Sequence, residues 1–146
     1  MSDYIIYTDG GSRGNPGPAA YGFVIQDAKS RTIKEYGEAI GRSTNNIAEY
    51  KALVAGLKKL KALIGSDKAS SAIVEVRADS ELLMKHLNGK YKIKEPDLIP
   101  LFIEIWNIKQ DFKEIIFIHI PREENKMADH MVNAALDQED SQGKFL

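Results

Sequence analysis

The hydrophobic pattern first changes period near residue 46, and that switch restricts the chain to folds that lay helices on a sheet. YIIYTD at 4–9, AAYGFVIQD at 19–27 and RTIKEYGEAI at 31–40 read as extended runs. A Gly/Pro-rich turn and a short polar turn part them, which predicts an antiparallel meander. From Asn46 onward, Tyr50, Leu53, Val54, Leu57, Leu60 and Ile64 recur at steps of three and four, the stripe of an amphipathic helix that ends at Gly65. IVEVRAD at 73–79 is a further strand, and SELLMKHL is a short helical run that stops at Asn88-Gly89. Pro96-Asp97 opens a helical stretch through LFIEIWNI, IIFIHI at 115–120 is an apolar strand closed by Pro121, and a last helix runs from about Asn125 to Glu139. The order βββαβααβα predicts an α/β fold, a five-stranded mixed sheet with helices on both faces.

A chain of 146 residues has material for one core, so a single domain is expected over 1–140, with 141–146 as a frayed tail. No apolar run approaches the ~18 residues of a membrane span. The opening MSDYIIYTDGG has no basic stretch before a signal core, so the expected location is cytoplasmic. Zero cysteines exclude disulfides, thiolate zinc sites and cysteine nucleophiles. The net charge of −1 supplies no global positive field, so any nucleic-acid binding has to be local. No apolar stripe exceeds the needs of a core, and a monomer is expected.

The turn from Asp9 to Gly17 follows a strand, as phosphate-cradling loops do, yet it has neither the Lys-Ser/Thr of a P-loop nor a G-x-G-x-x-G run. A nucleotide or other small-molecule cofactor is therefore not expected. Asp9 closes YIIYT and Asp79 closes IVEVRA, and the crevice beyond strand carboxyl ends is where open α/β sheets bind ligands. Each aspartate equally fits a cap of the following turn. Glu49 fits helix-dipole stabilisation or a capping box with Asn46, and Asp129 an acid early in the last helix. Four acids at element ends invite a different account. Converging carboxylates repel one another, whereas Mg²⁺ is a hard ion held by carboxylate oxygens and substrate phosphates. Two such ions can activate a water and stabilise the leaving oxygen of a phosphodiester, with no nucleophilic side chain required.

Asp9-Gly10-Gly11 with Gly14-Asn15-Pro16-Gly17, then Thr44-Asn45-Asn46-Ile47-Ala48-Glu49, then Asp79-Ser80, then His119 through Asn125 to Ala128-Asp129, resemble in order and spacing the signature of type 1 ribonuclease H. The resemblance runs from Tyr4 to about Leu136. It implies a metal-dependent endonuclease that cuts the RNA strand of an RNA/DNA hybrid, leaving 5′-phosphate and 3′-hydroxyl ends. It further implies that Asp9, Glu49, Asp79 and Asp129 hold two Mg²⁺ ions, with Mn²⁺ as a substitute, and that Asp9 bridges the pair. His119 matches the family's auxiliary histidine, with a role in product release or proton transfer; a structural role at the end of an apolar strand stays open beside it. His86 and His130 read as surface residues.

The same resemblance assigns substrate contacts to Asn15, Thr44, Asn45 and Asn46, and the backbone of Gly10, Gly11 and Ser12 suits close approach to a sugar or phosphate. Asn45 and Asn46 fit turn and N-cap positions as well. Many members carry a long basic protrusion after the second helix. Here that segment is only 88–96, with Lys90, Lys92 and Lys94, so weaker hybrid binding is expected. No hybrid-binding domain is expected ahead of residue 1. Two alternatives stand beside the hybrid nuclease: a catalytically idle nucleic-acid-binding module, and a nuclease that also cuts double-stranded RNA.

Overall fold

The computed structural model describes residues 1–142. Three strands, β1 (Tyr4–Ser12), β2 (Gly17–Asp27) and β3 (Thr32–Ser43), come first, followed by a long helix α1 (Asn45–Ile64) and a short α2 (Ser66–Ser71). Then follow β4 (Ile73–Ala78), α3 (Glu81–Leu87), α4 (Ile99–Lys109), β5 (Glu114–His119) and α5 (Lys126–Ser141). The sheet order is β3-β2-β1-β4-β5. β1 pairs antiparallel with β2, and β2 with β3, while β4 runs parallel to both β1 and β5. This is the mixed five-stranded sheet that the pattern of periods predicts.

Alternation along β1 explains the two layers, because successive strand side chains leave on opposite faces. Ile6 faces α1, where it meets Gly56, and with Phe23, Ile25, Leu53, Leu57, Leu60, Val74 and Val76 it forms the main core. On the other face a smaller core of Ala20, Val132 and Leu136 lies beneath α5.

Four differences from the sequence reading have physical causes. β1 and β2 extend further into the glycine-rich segment, so the turn shrinks to 13–16 and closes with the Arg13 amide donating to the Pro18 carbonyl at 2.8 Å. The segment 66–71 is helical although it lacks an apolar stripe: it buries only Ala69 and is held by tertiary context. Thr44, not Asn46, caps α1, with its side chain accepting from the Ile47 amide at 3.2 Å. Glu49 therefore stands beyond the first turn, and the Asn46–Glu49 capping box does not form. Finally, His86 is buried at 5% exposure instead of lying on the surface, because its ring meets the Tyr50 hydroxyl at 2.7 Å. His130 is exposed. The expected frayed tail begins at the last residue of α5, and its residues 143–146 lie outside the described residues.

Candidate active site

The parallel ladder between β1 and β4 ends at the pair Thr8–Ala78. Asp9 and Asp79 are the next residues on each strand and leave the ladder at the same level. β1 itself does not end there, since Asp9 still pairs with Gly22 on β2. The cap after Asp79 is supplied by Ser80, whose hydroxyl accepts from the Leu83 amide at 3.2 Å. Asp79 is thereby free of that structural duty.

Two glycines let the helices close on Asp9 from both sides. A Cβ on Gly10 would run into the backbone of Ala48 and Glu49, closer than real Cβ atoms come, so only glycine lets α1 bring Glu49 against β1. Gly22 does the same for α5: a Cβ there would stand 2.7 Å from Met131 Cβ and 2.9 Å from the Ala128 carbonyl. Asp129, in the first turn of α5, arrives by that contact. A cleft of about 480 Å³ results, lined by Asp9, Glu49, Asp79 and Asp129 together.

The electrostatics register the convergence. Burial pushes the Asp9 carboxyl up from 3.8 to about 8, with Asp79 and then Asp129 adding like-charge repulsion and a shared hydrogen bond to Asp129. Glu49 is raised from 4.5 to about 7, chiefly by burial; a hydrogen bond from Ser80 opposes the rise and Asp79 reinforces it. Without a cation, Asp9 and Glu49 keep their protons to higher pH than ordinary carboxyls do. That donor set, all carboxylate oxygen and short of positive charge, fits a hard divalent ion. Among the described residues no three His, Asp or Glu side chains are drawn in tightly enough to enclose an ion by themselves. Mg²⁺ ordinarily takes one or two carboxylates each and completes its shell with water and substrate phosphate.

The remaining sequence candidates divide. Gly10, Gly11, Ser12 and Asn45 line the carboxylate cleft, with Gly10 required there by packing. Asn45 accepts from the Ser12 amide at 2.8 Å and from its hydroxyl at 3.0 Å, and the Asn45 amide donates to Asn15 Oδ1 at 3.1 Å. These bonds tie the turn after β1 to the start of α1. Lys90, Lys92 and Lys94 line a separate cleft with Tyr91, His86 and Glu95. His119 ends β5, exposed and outside the carboxylate lining; its charge bears on Glu81, which is held below its ordinary value first by Lys85 and then by His119.

Two residues to which the sequence reading gives no role in the site matter. Asn125 is 1% exposed, and its Nδ2 donates to the Thr8 carbonyl at 2.9 Å and to Asp79 Oδ1 at 3.3 Å, locking the two strand ends to the start of α5. Its place four residues before Asp129 was a signal, but nothing in the sequence reveals its partners. Arg122 brings a cation to the same cleft, and no ion pair holds it among the described residues.

Comparisons with known proteins find relatives over most of the chain. A family model described as reverse transcriptase-like matches residues 7–135. The bifunctional protein Rv2228c of Mycobacterium tuberculosis is 41% identical over 134 residues, 91% of this chain and 35% of that protein. Ribonuclease HI of Halobacterium salinarum is 41% identical over 131 residues, 90% of this chain and 63% of its own length. The chain thus spans about a third to two thirds of these relatives. The solved structure of LC11-RNase H1 in complex with RNA/DNA hybrid, an enzyme isolated from compost by a metagenomic approach, superposes with a TM-score of 0.87 at 48% identity, covering 92% of this chain and 97% of that one. In sequence and in fold, the chain belongs to the type 1 ribonuclease H family.

Proposed function

We propose that this protein is a divalent-metal-dependent endoribonuclease that hydrolyses the RNA strand of RNA/DNA hybrids, leaving 5′-phosphate and 3′-hydroxyl ends. The observation that carries the reading is the convergence of Asp9, Glu49, Asp79 and Asp129 on one cleft, with the Asp9 carboxyl driven up to about 8. Support comes from LC11-RNase H1, a relative solved with a hybrid bound.

Asp9, Glu49, Asp79 and Asp129 would hold two Mg²⁺ ions, or Mn²⁺ in their place, which supply an activated water and charge neutralisation at the phosphodiester. Around them the chain's own groups have distinct duties. Asn125 fixes the Asp79 carboxylate and the Thr8 carbonyl, so the strand ends keep their spacing when phosphate enters. Asn15, Thr44, Asn45 and Asn46, with the backbone of Gly10 to Ser12, bind sugar and phosphate beside the acids. Arg122 faces the same cleft and pairs with phosphate oxygens. Lys90, Lys92 and Lys94 form a second, purely electrostatic contact. His119, at the end of β5, assists product release or proton transfer. The protein acts as a cytoplasmic monomer, and the described residues contain no helix long and apolar enough to cross a membrane.

The test is cleavage of a labelled RNA/DNA hybrid in Mg²⁺ and in Mn²⁺, beside single-stranded RNA, double-stranded RNA and DNA duplex, with Asp9→Asn as control. Hybrid-only cutting that disappears with chelator and in the variant is the expected result. Cutting of duplex RNA would widen the substrate class. Binding of the hybrid with no cutting in either metal would replace the enzyme by an idle binding module.

A further inference from the structure

Asn45 lines the cleft, with Asn15 bonded to its backbone and Asn46 next to it on α1, and hydrogen bonds inside the protein fix which way each of the three side-chain amides is turned. Asn45 Oδ1 is occupied by two donors from Ser12, at 2.8 and 3.0 Å, and Asn15 Oδ1 by the backbone N–H of Asn45 at 3.1 Å. Both side chains therefore keep their N–H groups for a ligand. Asn46 is turned the other way. Its Nδ2 donates to Glu95 Oε1 at 2.7 Å, across 49 residues of sequence, and among the described residues no protein donor reaches its Oδ1. A carboxylate only accepts, so a flipped Asn46 would set oxygen against oxygen. The adjacent asparagines at the start of α1 thus present opposite chemistry, a donor at 45 and an acceptor at 46.

That contrast bears on how two nucleic-acid strands are told apart. Minor-groove base edges and sugar ring oxygens are mostly acceptors in DNA and RNA alike, so donors at 15 and 45 serve either strand. An acceptor needs a donor, and the 2′-hydroxyl is the donor that ribose has and deoxyribose lacks. We propose that Glu95 is a positioning residue whose bond to Asn46 makes position 46 an acceptor for a ribose 2′-hydroxyl, so that part of the discrimination for RNA is set from the loop 88–95, outside the carboxylate cleft. The inference rests on the hybrid reading above. Charge alone predicts no effect on the preference, only weaker binding of both duplexes, because a carboxylate beside Lys90, Lys92 and Lys94 repels phosphates of either strand.

The experiment measures Kd for an RNA/DNA hybrid and for a DNA duplex of the same sequence, in chelator so that nothing is cut, for wild type, Glu95→Ala, Glu95→Gln, Asn46→Ala and the Asn46→Ala/Glu95→Ala double variant. Glu95→Ala should lower the preference for hybrid by roughly 3–10-fold, the scale of one lost hydrogen bond. Glu95→Gln, whose amide oxygen still accepts from Asn46, should hold the preference within about twofold of wild type. In the Asn46→Ala background the Glu95→Ala change should have no further effect on the preference. Equal gains in affinity for both duplexes in the Ala and Gln variants would overturn the proposal in favour of simple charge repulsion, as would an unchanged preference in Glu95→Ala. A wild-type chain that binds both duplexes equally would also overturn this inference, whereas failure of hybrid-only cutting in the metals would overturn the hybrid reading on which it rests.

Discussion

Asp9 and Gly22 are register partners across the β1–β2 ladder, and the space left by the glycine is where the helix carrying Asp129 comes down beside the aspartate. Gly10 gives α1 the same access on the other face. The glycines beside this aspartate are therefore packing devices before they are turn residues. Gly10→Ala and Gly22→Ala should each destabilise the fold by roughly 1–3 kcal/mol, the usual cost of overpacking, and lose most cleavage. Gly11→Ala, whose Cβ would stand an ordinary 3.8 Å from Val132, should be nearly neutral in the same denaturant titration.

Asp9→Asn should abolish cleavage of the hybrid while leaving a folded protein. It removes a carboxyl that Asp79 and Asp129 both disfavour when ionised. In chelator the variant should melt about 2–4 °C above wild type at pH 8, corresponding to roughly 1 kcal/mol. Substantial residual turnover would remove Asp9 from the centre of the site.

Stability without metal should fall as pH rises. The folded-state values of Asp9, about 8, and Glu49, about 7, lie above their ordinary 3.8 and 4.5, so the folded chain binds the extra protons. The stabilisation is complete below about pH 4 and is lost as pH climbs through 7 and 8. Melting curves in chelator from pH 5 to 8.5 should show this decline, and Asp9→Asn should flatten its upper part. Cleavage in Mg²⁺ should rise over the same range, because metal binding requires the ionised acids.

Much of this arrangement is legible in the chain itself. The period switch near Asn46 predicts the sheet and its covering helices, and the candidate site lies where Asp9 and Asp79 leave the β1–β4 ladder, although β1 runs on past Asp9 to Ser12. What pattern alone does not contain is tertiary partnership. His86 reads as a surface histidine because nothing in the sequence reveals its partner, and only the approach of Tyr50 from α1 makes its burial tolerable. Asn125 reads as a helix-start residue, and its bonds to Thr8 and Asp79 depend on strands 117 and 46 residues away in sequence. The helix at 66–71 has no periodic signal at all, since Ala69 is its sole buried residue.

The buried pair supplies its own test. Tyr50→Phe removes the partner of His86 Nδ1 and should cost about 1–3 kcal/mol, the penalty of a buried polar group left unsatisfied. Because neither residue lines the carboxylate cleft, kcat should stay unchanged at temperatures where the variant remains folded.

The lysine loop is testable by salt. Replacing Lys90, Lys92 and Lys94 together by Ala should reduce the slope of log K against log salt by up to about 0.9 for each phosphate that the loop no longer neutralises. An unchanged slope would show that the loop does not touch the substrate.

Asp129 rides on the last helix, and α5 docks only where Gly22 and Gly37 leave room on strands made long before it. A nascent chain that has emerged as far as β5 has three of the four acids and no wall to complete the cleft. Closure of the candidate cleft therefore waits on the docking of α5, and the fourth carboxylate arrives with the helix that completes its wall.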